Sequence, residues 1–193
     1  MGSKGYSLLE VLVTISLLVI VAGAAIPLAL GSVDRSRAAA AASYVAGRMA
    51  KARFEAVKRS AFVAIRFVED TDGYWLRVYV DGNGNGVLSR DITREIDRPI
   101  THAEKLDHHF PGVMFGIEPN VTSLDSNQTL DTIDPILIGA TTLLSFNPNG
   151  SSTSGTVFIR GQRASQFAVR ILGATGRTRV FQFNVEDRTW RRR

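Results

Sequence analysis

Cysteine is absent from the 193 residues. That excludes disulfides, thiolate metal sites and cysteine nucleophiles together, and leaves the redox compartment open. Histidine occurs three times, at His102, His108 and His109. The adjacent pair would point opposite ways in an extended chain, and no third ligand stands at helical spacing, which argues against a metal centre. The sequence has no Gly-x-Ser-x-Gly, no phosphate-cradling loop and no His-Glu-x-x-His. Thirteen acids lie between residues 61 and 149, yet nothing marks two of them as a catalytic pair. The chain reads as a non-enzyme.

Hydrophobic residues make up 45% and charged residues 21%, which excludes a disordered or fibrous chain. The net charge of +5 is unevenly spread. Residues 28–60 carry +5, residues 61–149 carry −7, and residues 150–193 carry +7 from nine arginines against Glu186 and Asp187. An acidic middle joined to a basic end makes an acidic partner worth asking about.

Val11 to Val33 is a run of 23 residues without a charge, rich in Leu, Val, Ile and Ala. A membrane-crossing helix needs about 20 such residues. A secretory signal peptide has an apolar stretch of only about 7–15 residues before its cleavage site, so this run is too long for one. Glu10 stands near its start. An ionised carboxylate at membrane depth costs about 2.5–3.5 kcal/mol on insertion scales. It is either solvated at headgroup level or matched by a fixed partner, such as a nearby amino terminus.

Gly5-Tyr6-Ser7-Leu8-Leu9-Glu10-Val11 resembles the signal of type IV pilins and type II secretion pseudopilins. The resemblance implies cleavage between Gly5 and Tyr6 by a prepilin peptidase, with N-methylation of Tyr6. It also implies that Glu10 pairs with the terminal amine of a neighbouring subunit during filament assembly. Pro27 falls where family members commonly carry a helix-kinking proline, and proline breaks the i→i−4 ladder.

Residues 28–60 predict a continuation of the helix. An alanine run spans Ala38–Ala42, and Val45, Met49, Ala52, Ala56 and Val57 recur at helical intervals. Arg48, Lys51, Arg53, Lys58 and Arg59 occupy other faces, as a solvated surface would. Continuous from Tyr6 to Arg59, such a helix would span about 80 Å. A compact domain does not need that length; a stem that is half anchor and half docking surface does.

After Ser60 the period changes to two. Ala61–Val68 and Tyr74–Val80 are strand-like around the turn Glu69-Asp70-Thr71-Asp72-Gly73. Further strand candidates are Ile92–Ile96, Val113–Ile117, Leu143–Phe146, Thr156–Ile159, Phe167–Leu172 and Arg179–Val185. Glu118 to Pro135 has no clear period and predicts a long surface loop. The fold class is therefore α+β: a long N-terminal transmembrane helix stem followed by an antiparallel β-sheet domain, pilin-like. The expected divisions are a leader at 1–5, an assembly helix at 6–33, its amphipathic continuation at 34–60, and a β-rich domain at 61–193.

Three later segments narrow the resemblance. Tyr79–Val87, Ser145–Gly150 with Ser154–Val157, and Gly176-Arg177-Thr178-Arg179 are similar, in that order, to segments of GspH/FimT-type pseudopilins and minor pilins. The family implies an inner-membrane, single-pass subunit with its C-terminal domain in the periplasm or on an extracellular filament. The implied partners are other pilin or pseudopilin subunits and the prepilin peptidase. Members of the FimT kind associate the Gly-Arg-x-Arg segment with DNA. Carried over, that makes Gly176 the turn and Arg177 and Arg179 phosphate contacts.

Two constellations remain. Asp81, Asn83 and Asn85, with glycines between them, match the opening of a calcium loop, but Ile92 stands where the closing Glu is needed. The simpler reading is a tight turn whose Gly and Asn residues accept positive φ. Among the C-terminal arginines, Phe181, Phe183 and Trp190 are interleaved. Such a set fits nucleic acid, or else the solvent face of an alternating strand with a floppy Arg191-Arg192-Arg193 tail. The strand alternation makes Phe181 and Phe183 core residues.

Overall fold

A computed structural model describes residue 5, residues 7–139 and residues 141–193; the side chains at 24, 27 and 28 are also outside the description. Tyr6 and the Pro27 side chain, both named above, therefore lie outside the described residues. Helix α1 runs from Leu8 to Arg59, 52 residues, or about 78 Å at 1.5 Å per residue. It stops at Ser60, whose left-handed backbone (φ 50°) lets the cap N–H reach the carbonyls of Ala56 and Val57.

Beyond α1 come β1 (Val63–Asp70), β2 (Gly73–Val80), α2 (Ser89–Thr93), β3 (Arg98–Pro99) and α3 (Leu106–His109). They are followed by β4 (Met114–Phe115), β5 (Ile136–Leu137), β6 (Leu143–Phe146), β7 (Gly155–Arg160), β8 (Gln166–Leu172), β9 (Arg177–Asn184) and β10 (Thr189–Arg192). They form two antiparallel sheets. One has the order β3-β2-β1-β6; the other runs β10-β9-β8-β7-β4, with β5 also pairing β7.

The C-terminal half of α1 lies in the crevice of these sheets. Ala38, Ala41, Ala42, Val45, Met49, Ala52 and Ala56 recur every three or four residues and are all buried. They meet Ile65, Phe67, Phe146, Val157, Ile159, Phe167, Val169 and Ile171 in one cluster. Alanine on the buried face lets helix and sheet approach closely, and each large side chain removed from water contributes about 1.5–3 kcal/mol. A second cluster, Ile117, Val121, Phe158, Ala168 and Phe183, lies on the opposite face of β7–β9. It is covered by the 118–135 segment, where Thr122 bridges Thr129 and Leu124 and Leu130 turn inward.

Several expectations are corrected. Ile92–Ile96 is not a strand: Ser89–Thr93 is a helical turn, because Asp91 inside it is needed as an acceptor for Asn83 and Asn85. Val113–Ile117 pairs only at Met114 and Phe115. Val57 is exposed, at the flank of the buried stripe beside the Gly176–Arg179 segment. The arginine tail is not floppy through Arg192, since Thr189–Arg192 pairs with Phe181–Asn184. Phe183 is buried as expected, whereas Phe181 is half-buried.

Candidate functional site

The N-terminal half of α1 stands clear of the domain. Leu8, Leu9, Leu12, Leu17, Leu18, Ile20 and Ile26 are exposed, Leu8 to 81%. Its few hydroxyls turn back into the helix: Thr14 donates to the Glu10 carbonyl, and Ser16 to that of Leu12 at 2.8 Å. Hydroxyls satisfied in this way leave an outer surface that is almost wholly apolar. Glu10, near its end, is exposed. Among the described residues no helix is long and apolar enough to cross a membrane.

Where α1 enters the domain, Asp34 is buried and accepts the backbone N–H groups of Gln162 at 2.8 Å and Arg163 at 3.1 Å. A Cβ at Gly161 would come within 2.5 Å of that carboxylate, so glycine is required there. The β7–β8 turn is thereby pinned to the stem.

At the other end of the buried half, Arg53 reaches the Asn147–Gly150 turn, its Nε donating to the Gly150 carbonyl at 2.8 Å. Gly176 closes the same corner from the β8–β9 turn with φ +60°, and a Cβ on it would overlap the Gly150 oxygen and lie 2.7 Å from Arg53 Nε. Two segments set apart in sequence, Ser145–Gly150 and Gly176–Arg179, thus meet over one helix arginine. An open groove of about 790 Å³ runs beside them, lined by Arg53, Phe54, Val57, Arg177, Arg179 and Arg192 among others.

Strand alternation sorts these cations. Arg177 and Arg179 alternate in step with Phe181 and Phe183 along β9, and Arg192 stands opposite Phe181. Arg179 is directly opposite Arg170. Like charges so placed repel, and Asp125 relieves the pair by accepting both Arg170 nitrogens at 2.6 Å. The Arg170 guanidinium holds the Asp125 carboxyl below the usual carboxylate range. None of the ion pairs among the described residues involves Arg177, Arg179 or Arg192. Trp190 packs against Phe183 and Phe158, and its Nε1 donates to the Thr122 carbonyl at 2.8 Å, so it is an element of packing. The exposed aromatic at the groove is Phe54.

A family model for the type II transport protein GspH matches residues 41–176. The chain belongs to the GspH family. The prokaryotic N-terminal methylation motif matches residues 1–26 of this GspH-family chain. The pilin-like protein PilA1 of Thermus thermophilus is 38% identical over 86 residues, covering 44% of this chain and 53% of that protein. The match thus spans about half the length of that relative. No solved structure matches significantly. This GspH-family chain is of the pilin and pseudopilin kind.

The remaining candidates of the GspH-family domain are placed as follows. Asp81 accepts the N–H groups of Asn83, Gly84 and Gly86 at 3.0, 2.8 and 2.8 Å. The amides of Asn85 and Asn83 donate to buried Asp91, lowering its pKa. Asp97, also buried, accepts from Gly82 and Leu88. The Asp81–Gly86 loop is closed by these bonds, and Gly84 and Gly86 take positive φ. Among the described residues no group of three or more His, Cys, Asp or Glu side chains is placed to hold a metal ion. His109 and His108 sit in the α3 turn, His109 at 3.4 Å from Glu104 and His108 edge-on to Trp75. Glu104 also binds Tyr44 and Arg48 of the stem. Arg53 and Arg48, expected on a solvated basic face, are instead half-buried, Arg53 bonded to Gly150 and Arg48 to Glu104. Phe54 was not singled out by sequence, because an isolated aromatic on a basic helix face carries no signal of its own.

Proposed function

We propose that the chain is a minor pilin or pseudopilin subunit whose work is structural. It is cut between Gly5 and Tyr6 by a prepilin peptidase, methylated at Tyr6, and held in the inner membrane by the 6–33 stem. Other pilin or pseudopilin subunits then draw it into a type IV pilus or a type II secretion pseudopilus, with the β domain outward. The observation that carries this reading is the apolar half of α1 standing free of its own domain. Each Leu, Ile or Val there gains about 1.5–3 kcal/mol on burial, so the surface requires lipid or neighbouring stems. Glu10 serves as partner for a neighbouring subunit's terminal amine. A Glu10→Ala subunit should fold normally yet be depleted from sheared filaments when counted by immunoblot; normal incorporation rejects the pairing role.

A second reading is favoured by the groove at Arg53. Arg177, Arg179 and Arg192, without carboxylate partners among the described residues, suit the phosphates of DNA, with Gly176 forming the turn that presents them. The C-terminal domain would then be a DNA receptor displayed on the filament. Titration with duplex DNA at several salt concentrations should give a log–log slope of about 0.9 per phosphate contact. Replacing Arg177 and Arg179 with alanine should flatten it, and an unchanged slope rejects the assignment.

A further inference from the structure

Where the apolar run of α1 ends, a second open cleft of about 790 Å³ lies between the stem and the domain. Gly31, Ser32 and Arg35 form its stem wall; the β7–β8 turn contributes Arg163, and the β9–β10 hairpin contributes Glu186 and Arg191. We propose that this cleft is a seat for the headgroup of an anionic phospholipid. The proposal rests on the membrane reading above.

Position is the first argument. Val33 closes the uncharged run, so a bilayer around that run places its headgroup layer at Arg35. The exposed apolar side chains of Leu30, Val33 and Val185 stand nearby, suited to the acyl boundary.

Charge is the second. Arg191 is neutralised by Asp187 at 2.6 Å. Arg35 and Arg163 are exposed, and neither belongs to an ion pair among the described residues. Glu186 opposes them in the cleft, leaving a net positive seat. Guanidinium forks match phosphate oxygens in geometry.

Construction is the third. Arg163 does not sit on a loose loop: Asp34 holds its backbone N–H, and that of Gln162, against α1. Asp34 spends its oxygens on those two donors, so it builds the wall between Arg35 and Arg163. The cleft is of a size that ordinarily admits a small ligand.

The test uses the full chain in lipid nanodiscs, with equal phosphatidylglycerol and phosphatidylcholine offered and the co-purifying lipid quantified by mass spectrometry. The wild-type chain should enrich phosphatidylglycerol. Arg35→Ala with Arg163→Ala should reduce that enrichment by about fivefold per arginine, while Arg94→Ala, on the exposed surface remote from the stem, should leave it unchanged. Equal enrichment in wild type and double variant overturns the proposal, as does an equal loss with Arg94→Ala. Failure of the wild-type chain to enter phosphatidylcholine discs would overturn the membrane reading and this proposal with it; entry without enrichment overturns this proposal alone. If the double variant fails to fold by circular dichroism, a photoreactive phosphatidylglycerol on the wild-type chain decides. Cross-links should map to residues 31–37 and 161–166, and cross-links confined to the apolar run would overturn the seat.

Discussion

Replacing Asp34 with alanine removes the acceptor shared by Gln162 and Arg163, at 2.8 and 3.1 Å. Hydrogen bonds to a charged group contribute about 1.5–3 kcal/mol each. Gln162 and Arg163 are exposed, so water can reach the freed N–H groups and the lower end of that range applies, about 3 kcal/mol for the pair. For a chain of this size each kcal/mol shifts the melting temperature by about 2–4 °C, which gives a fall of about 6–12 °C. Near-ultraviolet circular dichroism of the full chain in detergent, reporting Trp75 and Trp190, would measure it. Asp34→Asn keeps one acceptor oxygen and should lose about half as much. Asp72→Ala, whose side chain is 81% exposed, provides the reference for removing a surface carboxylate. Hydrogen exchange at the Gln162 and Arg163 amides should quicken in the alanine variant. A fall no larger than that of Asp72→Ala, with exchange at those amides unchanged, would refute the account of Asp34 as the joint between stem and sheet.

Two further outcomes follow from the same geometry. Gly176→Ala places a side chain at φ +60° against Gly150 and Arg53; left-handed strain of about 1–2 kcal/mol and overpacking of about 1–3 kcal/mol should lower the midpoint of urea unfolding, and an unchanged midpoint would reject the tight corner. The Asp125–Arg170 pair is exposed on the Asp125 side, so Asp125→Asn should cost at most about 1 kcal/mol at neutral pH. Because the folded-state pKa of Asp125 is depressed, that stability is fully present above the ordinary carboxylate range and lost as pH falls through the depressed value. Melting wild type and variant from pH 7 to pH 2.5 should show their difference vanish in acid, and a constant difference would refute it.

The stem and the long strands were legible because their periods are local. The uncharged run, the buried stripe from Ala38 to Ala56, and the short runs rich in β-branched and aromatic residues in β1, β2 and β8 each follow from residues a few positions apart. The prepilin-type segment was equally plain, being a contiguous signature that the methylation motif matches. What escaped depends on distant partners. Strand β10 reads as a charged tail because its arginines guard a sheet edge, a common way to blunt one. The turn at Ser89–Thr93 is set by Asn83 and Asn85 calling on Asp91, which no local pattern announces. Arg53 gains meaning only through Gly150 and Gly176, far along the chain.

The burial of α1 along its second half has a mechanical consequence. A helix seated from Ala38 to Ala56 and latched at Asp34 cannot swivel on the sheets, so stem and head behave as one lever with its fulcrum at the latch. From Asp34 to Leu8 the free arm is about 39 Å at 1.5 Å per residue. A tilt of about 10° at the fulcrum therefore carries the far tip sideways by about 7 Å, more than the pitch of one helical turn. Any torque applied to the head is thus delivered, amplified in travel, to the end that carries Glu10.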